Sequence, residues 1–286
     1  MANFLDIPLE LTDPDRALVH VIPVPYDMTS TYRKGADKGP EAIIEASSQV
    51  EWFDLPTRTE PHLYGIHTQR PVECSDPDPI HLAPLVRSRV LKALAAGKLP
   101  VVLGGEHSVS IGAFEAAKEQ HENISILQID AHGDTRDCYH GSTHNHACVM
   151  ARAKELAPIV QVGIRAIDRS EMEAMEPDRT FFAHDIAEHS DDDWMDRAVE
   201  GLTDKVYLTV DLDGFDPSII PATGTPEPGG LDWRTVNTLI ARVAGSREIV
   251  GFDIVELCPI EHHHASDFIA AKLVVRILAE ILSRRD

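Results

Sequence analysis

The stretch ISILQIDAHGDTRD, residues 124–137, decides how this chain is read. An apolar run containing Ile124, Ile126, Leu127 and Ile129 reads as a buried strand, and it ends abruptly in Asp130, His132 and Asp134. On a strand, residues two apart share a face, so Asp130 and His132 project together at the C-terminal end, with Asp134 just beyond. In open parallel sheets that end is where ligands bind. Burying carboxylates side by side is costly unless a cation lies between them. A solvated loop would need no such spacing at the tip of an apolar strand, so a bound metal is the economical reading.

Working outward, the same alternation of short apolar runs and helical patterns fills the chain. Strands are expected at 18–24, 99–105, 124–130, 159–165, 206–213 and 249–257, with a weaker candidate at 180–186. Several are continuously apolar, as strands buried on both faces are. Helices are expected at 82–97, 108–120, 147–157, 190–202, 232–244 and 266–284, with Gly97 as a stop and Ser190 as an N-cap. Strand alternating with helix predicts an α/β fold with a parallel sheet covered on both sides. No linker divides residues 1–286, so one domain is expected, with the Pro- and His-rich stretch 51–80 as a surface loop.

Composition narrows the function. With 47 acidic against 26 basic residues, the formal net charge is −21, which argues against nucleic-acid or anionic-membrane partners. Four scattered cysteines with no CxxC pair read as reduced thiols of a cytoplasmic protein. The first sixteen residues carry no basic region followed by an apolar run, so no signal peptide is expected.

Two further strand ends repeat the opening pattern. TVDLDGFDP brings Asp211 and Asp213, and GGEHS brings His107 behind Gly104 and Gly105, which permit a tight turn and close backbone approach. His107, Asp130, His132, Asp134, Asp211 and Asp213 are too many ligands for one tetrahedral zinc. A carboxylate-rich set without thiolate suits Mn²⁺, with Fe²⁺, Co²⁺ or Ni²⁺ as alternatives. Two ions about 3.5–4 Å apart would use all six residues and lower the pKa of a shared water.

These residues resemble the ureohydrolase family, which includes arginases, agmatinases and related guanidino hydrolases, and they are most similar to its agmatinase branch. The likeness rests on GGEHS (104–108), DAHGD (130–134), VDLDGFDPSIIPATGTPEPGGL (210–231) and GFDIVELCP (251–259). The entry stretch PVPYDMTSTYRKGADKGPEAI (23–43) and HNHACVM (144–150) add to it. The resemblance implies a three-layer α/β/α fold with a mainly parallel sheet, two Mn²⁺ per subunit, and a homotrimer or homohexamer. It implies His107 and Asp134 on one ion, His132 and Asp213 on the other, and Asp130 and Asp211 bridging, with Asp134 also orienting the hydroxide nucleophile. Glu256 would accept hydrogen bonds from the substrate guanidinium, for which a carboxylate is the matched partner. His146 would protonate the leaving amine as a general acid, and Thr225 would line the site. The implied reaction is hydrolysis of a small cationic guanidino compound to urea and an amine, foremost agmatine to putrescine.

The chain departs from the pattern in places. Ala147 follows His146 where many agmatinases have Gly, which leaves His140 and His144 as rivals for the shuttle. Arg136 replaces a Tyr or Asn; facing inward it would bind an acidic far end, as in guanidinobutyrate, and facing outward it would not. The arginase loop that grips an α-amino acid is absent, against arginine as substrate. Other guanidino or formimino substrates, or a one-metal deacetylase on the same fold, remain alternatives. A non-catalytic homologue would be expected to have lost a ligand or Glu256, and none is missing. Plainer readings suffice elsewhere: EHHHAS (261–266) as a loop into the last helix, Asp168 as a helix N-cap, Asp216 as the holder of its turn, and Cys138 and Cys148 as packing residues.

Overall fold

Val, Ile and Leu occupy both faces of the strand segments. In the computed structural model, which describes residues 2–188 and 193–285, they build one eight-stranded sheet. The strands are β1 (Val19–Val24), β2 (Ile66–Thr68), β3 (Leu99–Gly104), β4 (Ile124–Ile129), β5 (Ile159–Ile164), β6 (Thr180–Phe182), β7 (Lys205–Asp211) and β8 (Glu248–Val255). Their order is β2-β1-β3-β8-β7-β4-β5-β6, and every pairing is parallel. The expected mainly parallel sheet is thus wholly parallel among the described residues. Each strand must return over a face of the sheet before pairing again, which is why helices cover both sides.

The helices are α1 (Gly39–Ser47), α2 (Ala83–Ala95), α3 (Ser110–Gln120), α4 (Val149–Leu156), α5 (Arg169–Ala174), α6 (Ala183–Glu188), α7 (Asp193–Glu200), α8 (Trp233–Ser246) and α9 (Ala265–Leu282). Side chains alternate between two cores. Leu127 and Ile129 of β4, with Val206, Leu208 and Val210 of β7, pack with α1, α7, α8 and α9. Ile124, Ile126 and Tyr207 pack on the other face with α2, α3 and α4. Fully burying one such Leu or Ile contributes roughly 1.5–3 kcal/mol. A covered, all-parallel sheet leaves only strand ends and loops for polar chemistry.

The structure amends several expectations. The stretch 51–80 is not all loop: β2 adds an edge strand there, and an Asp54–Thr59 bridge closes a turn. The weak strand 180–186 stops at Phe182, where α6 begins. Helices α1 and α5 were not expected; α1 begins inside the entry stretch 23–43, which was read for its motif, and α5 has only six residues. Gly97 follows α2 at φ 70°, as a helix stop should. The expected N-cap Ser190 lies outside the described residues. No described helix is long and apolar enough to cross a membrane.

Candidate metal centre

Four contiguous central strands, β3-β8-β7-β4, deliver the polar cluster from their C-terminal ends. His107 follows β3, Glu256 follows β8, Asp211 ends β7 with Asp213 just after, and Asp130, His132 and Asp134 follow β4. Two glycines make the convergence possible. A Cβ on Gly105 would sit 1.8 Å from the Tyr26 carbonyl oxygen, so only glycine lets the entry loop close over β3. A Cβ on Gly214 would come within 2.9 Å of the Asp130 amide, which keeps the β7 turn against β4. Asp134 and Glu256 adopt left-handed backbone conformations, φ 50° and φ 64°, a strained geometry that the surrounding packing holds in place.

The six expected ligand residues come together. His107 Nδ1 lies 3.2 Å from Asp130 Oδ2, 3.0 Å from Asp134 Oδ2 and 3.4 Å from Asp211 Oδ2. His132 Nδ1 lies 3.0 Å from Asp213 Oδ2 and 3.7 Å from Asp130 Oδ1. His107, Asp130 and Asp211 form one group of donor atoms compact enough for a metal ion, and Asp130, His132 and Asp213 form a second. Asp130 belongs to both.

The donors fit a pair of divalent cations. His107 Nδ1 is buried, faces three carboxylate oxygens and is in hydrogen-bond geometry with none of them. Its other nitrogen, Nε2, lies 2.9 Å from Thr209 Oγ1, and that hydroxyl gives its one proton to Asp253 Oδ1 at 2.6 Å. Thr209 must therefore accept from Nε2–H, which leaves the Nδ1 lone pair pointing at the carboxylates. Gln161 donates to Gln128 Oε1 and Gln128 to Asp130 Oδ2, each at 2.6 Å, and the Ala131 amide donates to Asp213 Oδ1 at 3.1 Å. The set holds nitrogen and oxygen only. Cys148 is near, but burial and the charge of Asp134 push its thiol up to about 12, so no thiolate competes.

Titration of the cluster shows how much positive charge it calls for. Burial and the charges of Asp213 and Asp130 push Asp211 well above the carboxylate range. Burial and Asp130 push Asp134 up to about 6. Burial alone would raise Asp130 too, but His107 and His132 hold it low. Both imidazoles resist the lowering effect of burial and are raised by the carboxylates around them.

Beside this cluster opens a cavity of about 510 Å³ lined by Glu256, Thr225, His146 and Arg136 among others. Glu256 Oε1 accepts the His107 amide at 2.8 Å, and burial with the charge of Glu106 drives its carboxyl well above the usual range. A cation docked on Glu256 would relieve that penalty. Thr225 Oγ1 donates to Asp213 Oδ2 at 3.3 Å. Of the three loop histidines, His146 lines this cavity, whereas His140 faces a separate surface depression and His144 contacts Thr143. Burial, then the nearby His132 and His107, lower His146 to about 4. Ala147 is accommodated: its amide is taken by Asn145 Oδ1 and its carbonyl by the Arg136 amide, both at 3.1 Å.

Arg136 lines the cavity with its charge already matched. It lies 3.1 Å from Asp168 Oδ2 and 3.3 Å from Glu171 Oε2, and it sits 4.7 Å over the Tyr139 ring. Asp168 is the N-cap of α5, completed into a capping box by Glu171. Asp216 holds its turn by accepting from Ser218, Gly229 and Gly230. EHHHAS is a turn leading into α9, with an Ile260–His263 bridge. Cys148 is a buried packing residue as expected, but Cys138 is exposed. Residues that pattern reading missed are Thr29, Glu106, Gln128, Gln161, Thr209 and Asp253; all but Gln161 stand inside motif stretches that were read for other residues.

Comparison with known proteins follows from this geometry. The family model described as the Arginase family matches residues 17–280. The N(1)-aminopropylagmatine ureohydrolase of Synechocystis sp. is 39% identical over 272 residues, covering 92% of this chain and 88% of its own. The protein of the same name from Thermus thermophilus is 40% identical over 266 residues, covering 92% of this chain and 90% of its own. Among solved structures, the agmatine ureohydrolase of Thermoplasma volcanium superposes with a TM-score of 0.87 at 31% identity, covering 99% of this chain and 95% of that one.

Proposed function

The chain belongs to the arginase family and is a ureohydrolase; on that premise we propose that it releases urea from a polycationic guanidino substrate, N(1)-aminopropylagmatine ahead of agmatine, with two bound Mn²⁺ ions. The observation that carries this reading is the pair of three-donor groups sharing Asp130 at the wall of the cavity that Glu256 lines. In our assignment His107 and Asp134 would hold one ion and His132 and Asp213 the other, with Asp130 and Asp211 as the further carboxylates of the pair. Bound there, the ions supply the Lewis acidity that makes water nucleophilic near neutral pH.

The chain's own residues do the rest. Glu256, fixed through Oε1 by the His107 amide, receives the planar guanidinium and turns its carbon toward the ion pair. Asp134, at the cavity wall, accepts a hydrogen bond from the attacking water and orients it. His146, held neutral by burial, accepts a proton and returns it to the departing amine at the same nitrogen. Thr225 steadies Asp213 at the cavity floor.

Two observations support a cationic far end. Arg136, which alone would invite a carboxylate, is neutralised by Asp168 and Glu171. Asp168, Glu171 and Glu227 line the same cavity and offset Arg33, Arg136 and Arg165, so its outer part carries no net positive charge to draw a carboxylate. The relatives at 39% and 40% identity carry N(1)-aminopropylagmatine in their names, and on that ground we put this substrate first.

The test is kcat/KM for urea release by Mn²⁺-loaded protein from N(1)-aminopropylagmatine, agmatine, arginine and guanidinobutyrate. We expect the aminopropyl compound to lead agmatine by about tenfold and the two carboxylate-bearing compounds to trail by about a hundredfold or more. A leading rate on guanidinobutyrate or arginine would overturn the cationic reading.

A further inference from the structure

We infer that Thr29 is a positioning residue for His146: its hydroxyl fixes which ring nitrogen carries the proton and so leaves Nε2 as the atom that exchanges protons with the substrate. This rests on the ureohydrolase reading of His146 given above. The argument is one of hydrogen-bond saturation.

Thr29 Oγ1 has three partners. It gives its proton to Glu106 Oε2 at 2.6 Å. It accepts the backbone N–H of His146 at 3.1 Å and lies 3.1 Å from His146 Nδ1. A hydroxyl owns one proton and two acceptor lone pairs. With the proton committed to Glu106 and one lone pair committed to the His146 amide, the remaining lone pair can only receive Nδ1–H. The imidazole is thereby held as its Nδ1-protonated tautomer, with Nε2 unprotonated.

As an ionised carboxylate, Glu106 makes the commitment one-way. Its carboxylate is fully buried and accepts from the Thr29 amide at 2.9 Å on the same Oε2, and from Ser108 Oγ at 2.8 Å on Oε1. His146 Nδ1 is 4.0 Å from Glu106 Oε2, beyond direct bonding, so the hydroxyl is the link. The entry loop thus ties together a residue beside a proposed metal ligand and the shuttle histidine 117 positions further on. The hydrogen bond from the loop to the His146 backbone fixes position, and the bond to the ring fixes orientation; both pass through one atom.

The test compares Thr29→Val, which keeps the shape and removes the hydroxyl, with Thr29→Ser, which keeps it, alone and combined with His146→Ala. Assays use the Mn²⁺-loaded protein at pH 9 with the best guanidino substrate. We expect Thr29→Val to lower kcat by about 10- to 100-fold with KM changed less than about threefold and metal content unchanged. Thr29→Ser should stay within about threefold of the parent. In the His146→Ala background Thr29→Val should cost less than about twofold further, because its effect passes through the missing ring. Should Thr29→Val fail to fold, Thr29→Ala is scored by the same criteria. Unchanged kcat in Thr29→Val, an equal loss in Thr29→Ser, or a loss that multiplies in full with His146→Ala would each overturn the inference while His146 kept its role. Full kcat in His146→Ala would overturn the shuttle itself and this inference with it.

Discussion

His107 and Asp130 meet at 3.2 Å, Nδ1 to Oδ2, although their strands β3 and β4 are separated in the sheet by β8 and β7. Three strand spacings put β3 and β4 about 14 Å apart. The residues reach one another because the loops after both strands fold inward over the ends of the two between them. Glu256 and Asp211, at the ends of those two strands, are therefore enclosed by the contact.

That enclosure predicts that the ions act as a clasp. At a hundredfold excess over Kd, one bound ion adds about 2.7 kcal/mol of stability, so Mn²⁺ should raise Tm by about 5 °C or more over metal-free protein. Asp130→Asn removes the carboxylate shared by both donor groups and should abolish that increment together with turnover. Calorimetry and metal analysis check it; an Asp130→Asn protein that still carries two ions would refute the shared position.

Arg136 tests the far end of the substrate. Since its charge is spent on Asp168 and Glu171, Arg136→Ala should leave kcat/KM on cationic substrates within about fivefold, in the range of partly exposed ion pairs. It should not lower an already poor rate on guanidinobutyrate. A selective loss of guanidinobutyrate hydrolysis in urea-release assays would mean that Arg136 turns to meet that carboxylate.

Asp216 carries a pH dependence whose sign follows from its partners. Hydrogen bonds from Ser218, then from the Gly230 and Gly229 amides, hold its carboxyl down to about 2 in the folded chain. A depressed folded value means stabilisation that is present at neutral pH and lost as pH falls from the unfolded value toward the folded one. Asp216→Asn should lower Tm by about 2–4 °C at pH 7, and the gap should narrow below about pH 4. A gap independent of pH would show that the ionised form is not what holds the 216–230 turn.

A buried ion pair ties the 51–60 turn to the last helix. Arg276 bonds Asp54, which is fully buried, and reaches Glu280 Oε1 at 2.6 Å. Arg276→Met strands the Asp54 charge and should cost about 3–5 kcal/mol, while Asp54→Asn in addition should recover part of it. Denaturant unfolding of the single and double variants measures the coupling; additive losses would contradict it.

The strands and the polar cluster were legible because both depend on local pattern. Asp130, His132 and Asp134 follow directly on an apolar strand that ends at Ile129, so the end of that run marks the sheet edge where they gather. Glu256 and His146 became visible only through motif likeness, since a single Glu or His after an apolar segment has no periodicity to mark it. The supporting shell was not legible at all. Thr209 and Asp253 are 44 residues apart, Thr29 and Glu106 are 77 apart, and nothing near either member predicts its partner. Strand β2 escaped because three residues cannot show an alternation, and the strain at Asp134 and Glu256 is a product of packing that no local propensity encodes.

We propose that two ions in the His107–Asp213 cluster drive urea release. The most direct measurement titrates metal-free protein with Mn²⁺ while following bound metal and urea release from N(1)-aminopropylagmatine in the same samples. Two ions should bind per chain, and urea release should track occupancy of the pair. Urea release that is complete with one ion, or that survives removal of all metal, would contradict it.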